Sequence, residues 1–414
     1  MHLLWLKTEL LHPLDKGGRI RSYQMLRELR RELRITYLTL DDGTAGADAA
    51  ERAQEYCTTL IRVPLRTARR GSLGFAGELA RNVASPLPYA IWKYRSPAMR
   101  REIASVVSQS AVDLLVCDFL APAVNVPAGL PVPAVLFQHN VEASLWERHA
   151  AVARDPVRRT YLRSQWRRMH AFERAQCRRF DHVIAVSPDD ATWFRARYGV
   201  RGASDVPTGV DTDYFRPAAT ASPVPTQLAF TGSMDWMPNV DAMTYFVGEI
   251  LPRVRAGVPD ASLSIIGRNP APAVYALARR YPGITVTGTV PDVRPHLARA
   301  GVVIVPLRVG GGTRLKIFEA MAMQKAVVST TIGAEGLPVR DGEHLLIADT
   351  PAEFAAAVCR LIRQPELAAA LGQRAAALVR ARFGWSAIAA QFADACRQVA
   401  GSASLSRSPV AIDS

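Results

Sequence analysis

Gly310-Gly311-Gly312, followed by Thr313, Arg314, Lys316 and Glu319, is the part of this sequence with the most chemistry to offer. Consecutive glycines cost backbone entropy and persist where the main chain must approach another group closely or take a positive φ. Placed after a strand and before a helix, their amides meet the positive end of the helix dipole, a site for an anion such as a diphosphate. Arg314 and Lys316 would add charge-assisted bonds. Lys316 and Glu319 are three residues apart and share a helix face. A carboxylate inside the apolar run Ile317-Phe318-Glu319-Ala320-Met321-Ala322 suits hydrogen bonds from vicinal ribose hydroxyls; a surface ion pair with Lys316 or Arg314 is the alternative. Two more glycine turns follow apolar runs, at Gly232-Ser233 and at Gly267-Arg268. In the first half the comparable glycine turn is Gly17-Gly18-Arg19, and His139 follows the strand ending Phe137-Gln138. His139 reads as a hydrogen-bonded loop histidine beside Asn140. Asp211-Thr212-Asp213 has metal-binding spacing but lies in a proline-rich turn, where Asp and Thr serve turns and caps; no metal and no other cofactor is expected.

The elements that must position these residues alternate almost end to end, short apolar runs followed by helical patterns, as in parallel sheets covered by helices. Strands are expected at Leu3–Leu6, Ile35–Leu40, Leu114–Cys117, Ala134–Gln138 and His182–Val186, then at Leu228–Thr231, Ser262–Ile266, Ile284–Thr287, Val302–Pro306 and Ala326–Ser329. The fold class is therefore α/β, with two Rossmann-like doubly wound domains: residues 1–205, a linker at 206–227, and 228–385. A C-terminal helix, 386–400, is expected to pack back toward the first domain, with a disordered tail at 401–414. Ligands in such sheets sit beyond the carboxyl ends of the strands, where the glycine turns fall. Two such domains meeting at a linker would enclose a cleft.

Composition narrows the rest. With 49% hydrophobic residues the chain can bury substantial cores. Five scattered cysteines without metal or redox spacing fit a reducing cytoplasm. The N-terminal apolar run is too short for a signal peptide, and no stretch is long enough to span a bilayer. The net charge of +14 admits phosphorylated substrates, anionic lipid or nucleic acid. Much of it lies in the stretch Arg154 to Arg179, an amphipathic basic pattern that reads either as a solvated helix face or as a docking surface for an anionic membrane or a lipid-diphosphate acceptor. Nucleic acid is not expected, since no recognition motif accompanies the charge. The location expected is the cytoplasm, including the inner face of the plasma membrane.

The run Gly311 to Ser329, GGTRLKIFEAMAMQKAVVS, resembles the donor-binding segment of glycosyltransferase family 4, a retaining family with the GT-B fold. FTGSMDWMPNVDA from Phe230, VTGTVPDVRPHLARAGVVIVPL, GAEGLPVRDGEHLL from Gly333, the GVDTDYFRP linker, and DKGGRIR and FQHNVEA in the first half support it. The resemblance covers essentially residues 1–400. It implies a nucleotide-diphosphate sugar as donor and a saccharide or polyprenyl-linked acceptor, in exopolysaccharide or cell-envelope glycan synthesis. The backbone at Thr289-Val290-Pro291 would receive the nucleobase, Glu319 the ribose, and the Gly232 and Gly311-Gly312 amides the phosphates. Gly17, Gly18 and Arg19 would approach the phosphate and acceptor side, and His139, as the candidate catalytic group, the reacting sugar. Front-face attack, with the leaving phosphate helping to deprotonate the acceptor, is the implied course. Two departures stand out. The family's E-x7-E has Gly311 at its first position, and its usual Arg and Lys after the first strand of the C-terminal domain are replaced by Gly232-Ser233-Met234-Asp235-Trp236, so that Arg314 and Lys316 are the expected sources of charge. A nucleotide-sugar epimerase or hydrolase on this fold would turn over donor without acceptor; a non-catalytic nucleotide-sugar-binding partner would bind donor and transfer nothing.

Overall fold

A computed structural model describes residues 1–14, 17–69, 71–152, 155–217, 223–309 and 315–407. They form two compact units: Met1–Pro207 with Ile388–Ser414, and Thr208–Ala387.

The first unit is built on seven strands, among the described residues: β1 (His2–Lys7), β2 (Arg34–Asp41), β3 (Thr59–Pro64), β4 (Leu114–Asp118), β5 (Ala134–Phe137), β6 (His182–Ala185) and β7 (Ala203–Asp205). Their order is β3-β2-β1-β4-β5-β6-β7, all parallel. A parallel sheet is covered on both faces, which is why β1, HLLWLK, is buried along its whole length. Leu4, Leu38, Leu115, Leu136 and Val183 join one core. The last helix contributes Phe392, whose ring lies 5.5 Å from Trp5 and 4.9 Å from Phe137.

The second unit has six strands: β8 (Val224–Thr231), β9 (Ser262–Ile266), β10 (Ile284–Val286), β11 (Ala300–Val305), β12 (Ala326–Ser329) and β13 (Leu346–Ile347), ordered β10-β9-β8-β11-β12-β13 and again all parallel. Chain direction along each sheet reverses beside its first strand, at β1/β4 and at β8/β11. These switch points are where an open α/β sheet offers a crevice to ligands. Both sheets are thus of the two-Rossmann, GT-B kind expected.

Several boundaries differ from the sequence expectation. β8 starts at Val224, inside the segment assigned to the linker, and the division between units falls at Pro207/Thr208. The stretch 66–101 contains the helices Leu73–Val83 and Tyr89–Trp92 and the start of Pro97–Gln109. The final helix runs Trp385–Arg407, past the expected end at 400; residues 408–414 of the expected tail lie outside the described residues.

Candidate functional site

In the second unit the crevice is assembled from glycine turns. Gly267, after β9, comes so close to the turn after β8 that a Cβ there would lie 1.7 Å from the Gly232 carbonyl oxygen. A Cβ on Gly232 would in turn meet the Asn239 amide at 2.6 Å and Lys316 Nζ at 2.9 Å. Both positions therefore demand glycine for close approach rather than for a special φ. Asn239, buried at the start of the helix Met237–Tyr245, ties the neighbourhood together: its Nδ2 donates to the Ser233 carbonyl at 2.9 Å, and its Oδ1 accepts from Lys316 Nζ at 2.8 Å. That ammonium also sits 4.1 Å from the centroid of the Phe230 ring. Arg268 Nε donates to Ser233 Oγ at 2.9 Å, and Ser233 Oγ donates to Asp235 at 2.6 Å. This bond, with Asn269 and Arg268 nearby, holds the Asp235 carboxyl below its usual range. Gly232, Ser233, Arg268 and Lys316, read from sequence as donor-binding residues, are thus brought together. Asn239 and Asp235 were missed, although both lie within the first turn and helix after β8.

Glu319 stands on the helix Leu315–Ala322, whose other face buries Ile317, Phe318 and Met321. Phe318 stacks on Phe383 with centroids 4.6 Å apart, fixing the helix rotation. Burial pushes the Glu319 carboxyl up to about 7, against the opposing pull of Lys316. Among the described residues no hydrogen bond reaches that carboxylate. Lys316 instead spends a donor on Asn239. Val290 lies half-buried in the turn after β10, next to Asp292, which takes a bidentate bond from Arg294 and a hydroxyl bond from Tyr214. Gly311, Gly312, Thr313 and Arg314 lie outside the described residues. The D-x-D carboxylate Asp211 accepts from the Tyr214 amide at 2.9 Å, a turn role.

In the first unit the carboxyl ends of β1, β4 and β5 converge on a buried carboxylate. Asp118 Oδ2 accepts from Lys7 Nζ at 2.7 Å, Ser22 Oγ at 2.6 Å and Trp5 Nε1 at 3.1 Å, while Oδ1 pairs with His139 Nε2 at 2.7 Å. Burial alone would raise the Asp118 carboxyl; Lys7 and then His139 outweigh it and hold the group well below the carboxylate range. His139 goes the other way. Burial dominates, Asp118 opposes it and Arg21 adds to it, so the imidazole is pushed down to about 3 and stays neutral at physiological pH. With Nε2–H donating to Asp118, Nδ1 is the acceptor nitrogen. The ring stacks on Phe119 at 3.6 Å, and Phe119 adopts φ 73°. A Cβ on Gly18 would press on that phenyl ring at 2.9 Å, so the glycine makes room for the stack. From behind, the buried Glu173 accepts from Gln138 Nε2 and from the amides of Glu142 and Ala143, holding the turn that carries His139.

Two residues assigned from sequence have their partners here. Arg19, expected to approach a phosphate, is buried and donates through Nε and Nη2 to Glu9, at 2.8 and 2.5 Å, and to the Pro13 carbonyl. The cations beside His139 are Lys7 and Arg21 instead; Arg21 donates to the Val206 carbonyl at 3.0 Å, lies over the Phe137 ring and is depressed to about 9 by burial. His139, read from sequence as the catalytic histidine, is a buried imidazole with one ring nitrogen spent on Asp118, and burial holds it below the usual histidine range. Lys7, Ser22 and Asp118 were missed. Two of them are polar residues that end buried strands, the position at which open sheets place ligand groups.

Residues 16–214 match the profile of Glycosyltransferase Family 4, and residues 225–364 that of the glycosyl transferases group 1. A phosphatidyl-myo-inositol mannosyltransferase of Mycobacterium tuberculosis is 31% identical over 231 residues, 53% of this chain and 60% of the relative. A D-inositol 3-phosphate glycosyltransferase of Catenulispora acidiphila is 29% identical over 239 residues, 52% and 55% of the two chains. The matches thus span well under two thirds of these relatives' length. Among solved structures, a sucrose-phosphate synthase from Thermosynechococcus elongatus superposes with TM-score 0.68 at 18% identity, over 97% of this chain and 100% of its own. Anabaena HepE, in complex with UDP and glucose, gives 0.64 at 15% identity, over 95% and 99%. These likenesses establish the fold.

Proposed function

Since the chain belongs to Glycosyltransferase Family 4, we propose that it moves a sugar, with retention, from a nucleotide-diphosphate sugar to a saccharide or lipid-linked acceptor, without a metal ion. The observation that carries the reading is Glu319: a half-buried carboxylate without a hydrogen-bond donor among the described residues, one helical turn from Lys316, whose ammonium lies against the glycine turn after β8. An unpartnered carboxylate of this kind is costly unless a ligand supplies donors. Vicinal ribose hydroxyls are such donors. Lys316, Arg268 and the main chain at Gly232 supply positive potential for the diphosphate, which leaves as a weakly basic anion and needs charge stabilisation more than a proton.

In the first unit, Nδ1 of His139 accepts a hydrogen bond from a sugar hydroxyl and orients the ring; it does not act as the base. That division of labour fits retention, in which the departing phosphate can take the acceptor proton. The relatives named as inositol-lipid mannosyltransferases, and the neighbour holding UDP and glucose, support a nucleotide donor and a polar-lipid or glycan acceptor in envelope or exopolysaccharide synthesis. The test is a thermal-shift panel of UDP-, GDP- and ADP-sugars followed by transfer assays on lipid and saccharide acceptors. At least one donor should raise stability, because a ligand that binds only the folded state does so, and Glu319→Ala should reduce the shift. Donor consumed equally fast without acceptor would instead identify a hydrolase or epimerase.

A further inference from the structure

Among the described residues of the first unit, the large apolar side chains left exposed are Leu73, Val83, Val157 and Tyr161, at 93%, 69%, 79% and 43%. Single exposed apolar residues need no explanation, but these four fall on two helices only, Leu73–Val83 and Pro156–Arg179. The helices are joined: Arg168 donates to the carbonyls of Asn82 at 2.8 Å and Val83 at 3.0 Å, closing the end of the first helix against the second. Along the second helix, burial begins at Gln165; the residues before it, from Pro156 through Ser164, include none that is buried. Val157 and Tyr161 are four apart and share a face of this projecting part.

Arginines dominate the charge on the same surface; the exposed acid there, Asp155, caps the second helix by accepting from the Arg158 amide. Arg158, Arg163 and Arg167 are exposed on the second helix, and Arg69 and Arg81 on or just before the first. The acids of these helices are withdrawn: Glu173 is fully buried, and Glu78 is taken up by the Tyr89 hydroxyl and the Ala68 amide. Aliphatic side chains interspersed with an excess of arginines, the exposed acid being spent on the helix cap, are complementary to a surface that is negative outside and apolar just beneath. A nucleic acid would use the arginines and leave the valines and leucine in water. We propose that this two-helix face docks on an anionic phospholipid surface, its arginines at the headgroups and its apolar side chains at the acyl boundary. The proposal stands apart from the choice of donor and acceptor.

The full chain is sedimented with phosphatidylcholine vesicles, with or without phosphatidylglycerol, at low and high salt. Binding is expected only with phosphatidylglycerol and should weaken with salt. Arg158→Gln with Arg163→Gln should lower the partition coefficient about 25-fold, about fivefold for each arginine. Val83→Ser with Val157→Ser should lower it several-fold at unchanged charge. Arg279→Gln with Arg280→Gln, exposed on the second unit, makes the same charge change elsewhere and should leave it as it was. The proposal is overturned if the chain ignores anionic vesicles, if the control pair weakens binding as much as the test pair, or if the serine variants bind as wild type, which would mark a polyanion site. Donor-induced thermal shifts measured on every variant report folding and the transfer site separately from docking.

Discussion

The two units treat a carboxylate near the carboxyl ends of their strands in opposite ways. In the first unit Asp118 is saturated, with three donors on one oxygen and His139 on the other. In the second unit Glu319 is left without a hydrogen-bond donor among the described residues and rises to about 7. A saturated carboxylate is tied into the fold; an unsatisfied one leaves acceptors open, which in the proposed reading a ribose takes up. In the proposed reading the same residue chemistry plays a scaffold role on one sheet and a recognition role on the other, and substitution should separate the two.

The largest effect is expected from Asp118→Ala, which strands Lys7 as a buried cation and releases His139. Loss of one partner of a buried pair costs about 3–5 kcal/mol, to be read as a large drop in melting temperature without donor. Gly267→Ala comes next, at about 1–3 kcal/mol for forced overpacking, because its Cβ would drive the turns after β8 and β9 apart. Donor binding should weaken with it. Glu319→Gln should behave differently from both: the unliganded protein keeps or gains stability, while donor affinity falls about tenfold as a charge-assisted bond becomes a neutral one. If Glu319→Gln instead destabilised the protein as Asp118→Ala does, the contrast between the crevices would be lost.

The pH dependences should also diverge. Folding raises the Glu319 carboxyl from 4.5 to about 7, so its contribution to stability is full below about 4.5 and is lost as pH rises through 7. Donor binding needs the ionised form, so affinity should fall between pH 8 and pH 6 in wild type and stay flat in Glu319→Gln. For His139 the folded value, about 3, lies below the unfolded 6.5; the unfolded chain binds the extra proton, and stability is lost as pH falls below 6.5. The smallest effect is spectroscopic. The His139 ring should remain neutral, with Nδ1 unprotonated, in nitrogen NMR spectra at pH 6.

Much of this was legible in the sequence, for a physical reason. Central parallel strands are continuous apolar runs, and β1, β4, β8, β9, β11 and β12 were visible as such. The edge strand β10 was visible too, at Ile284–Thr287, but the other three edge strands were not: Thr59–Pro64 is half-exposed, and Ala203–Asp205 and Leu346–Ile347 are too short to show a period. The glycine turns and Glu319 could be found because local spacing places them. The Asp118 cluster could not, since its bonds to Lys7 and Ser22 join residues 111 and 96 positions apart. Nor could the sequence say which arginine after Gly17-Gly18 is spent internally; that depends on Glu9, ten residues upstream of Arg19.

The central claim is that the Glu319 carboxylate reads a ribose. Calorimetric titration of the donor giving the largest thermal shift, beside its 3′-deoxy analogue, on wild type and on Glu319→Gln, tests it most directly. Wild type should prefer the ribose form about tenfold, the scale of one charge-assisted hydrogen bond, and the variant should show no preference. An equal preference in both proteins, or no binding of any activated sugar, would contradict it.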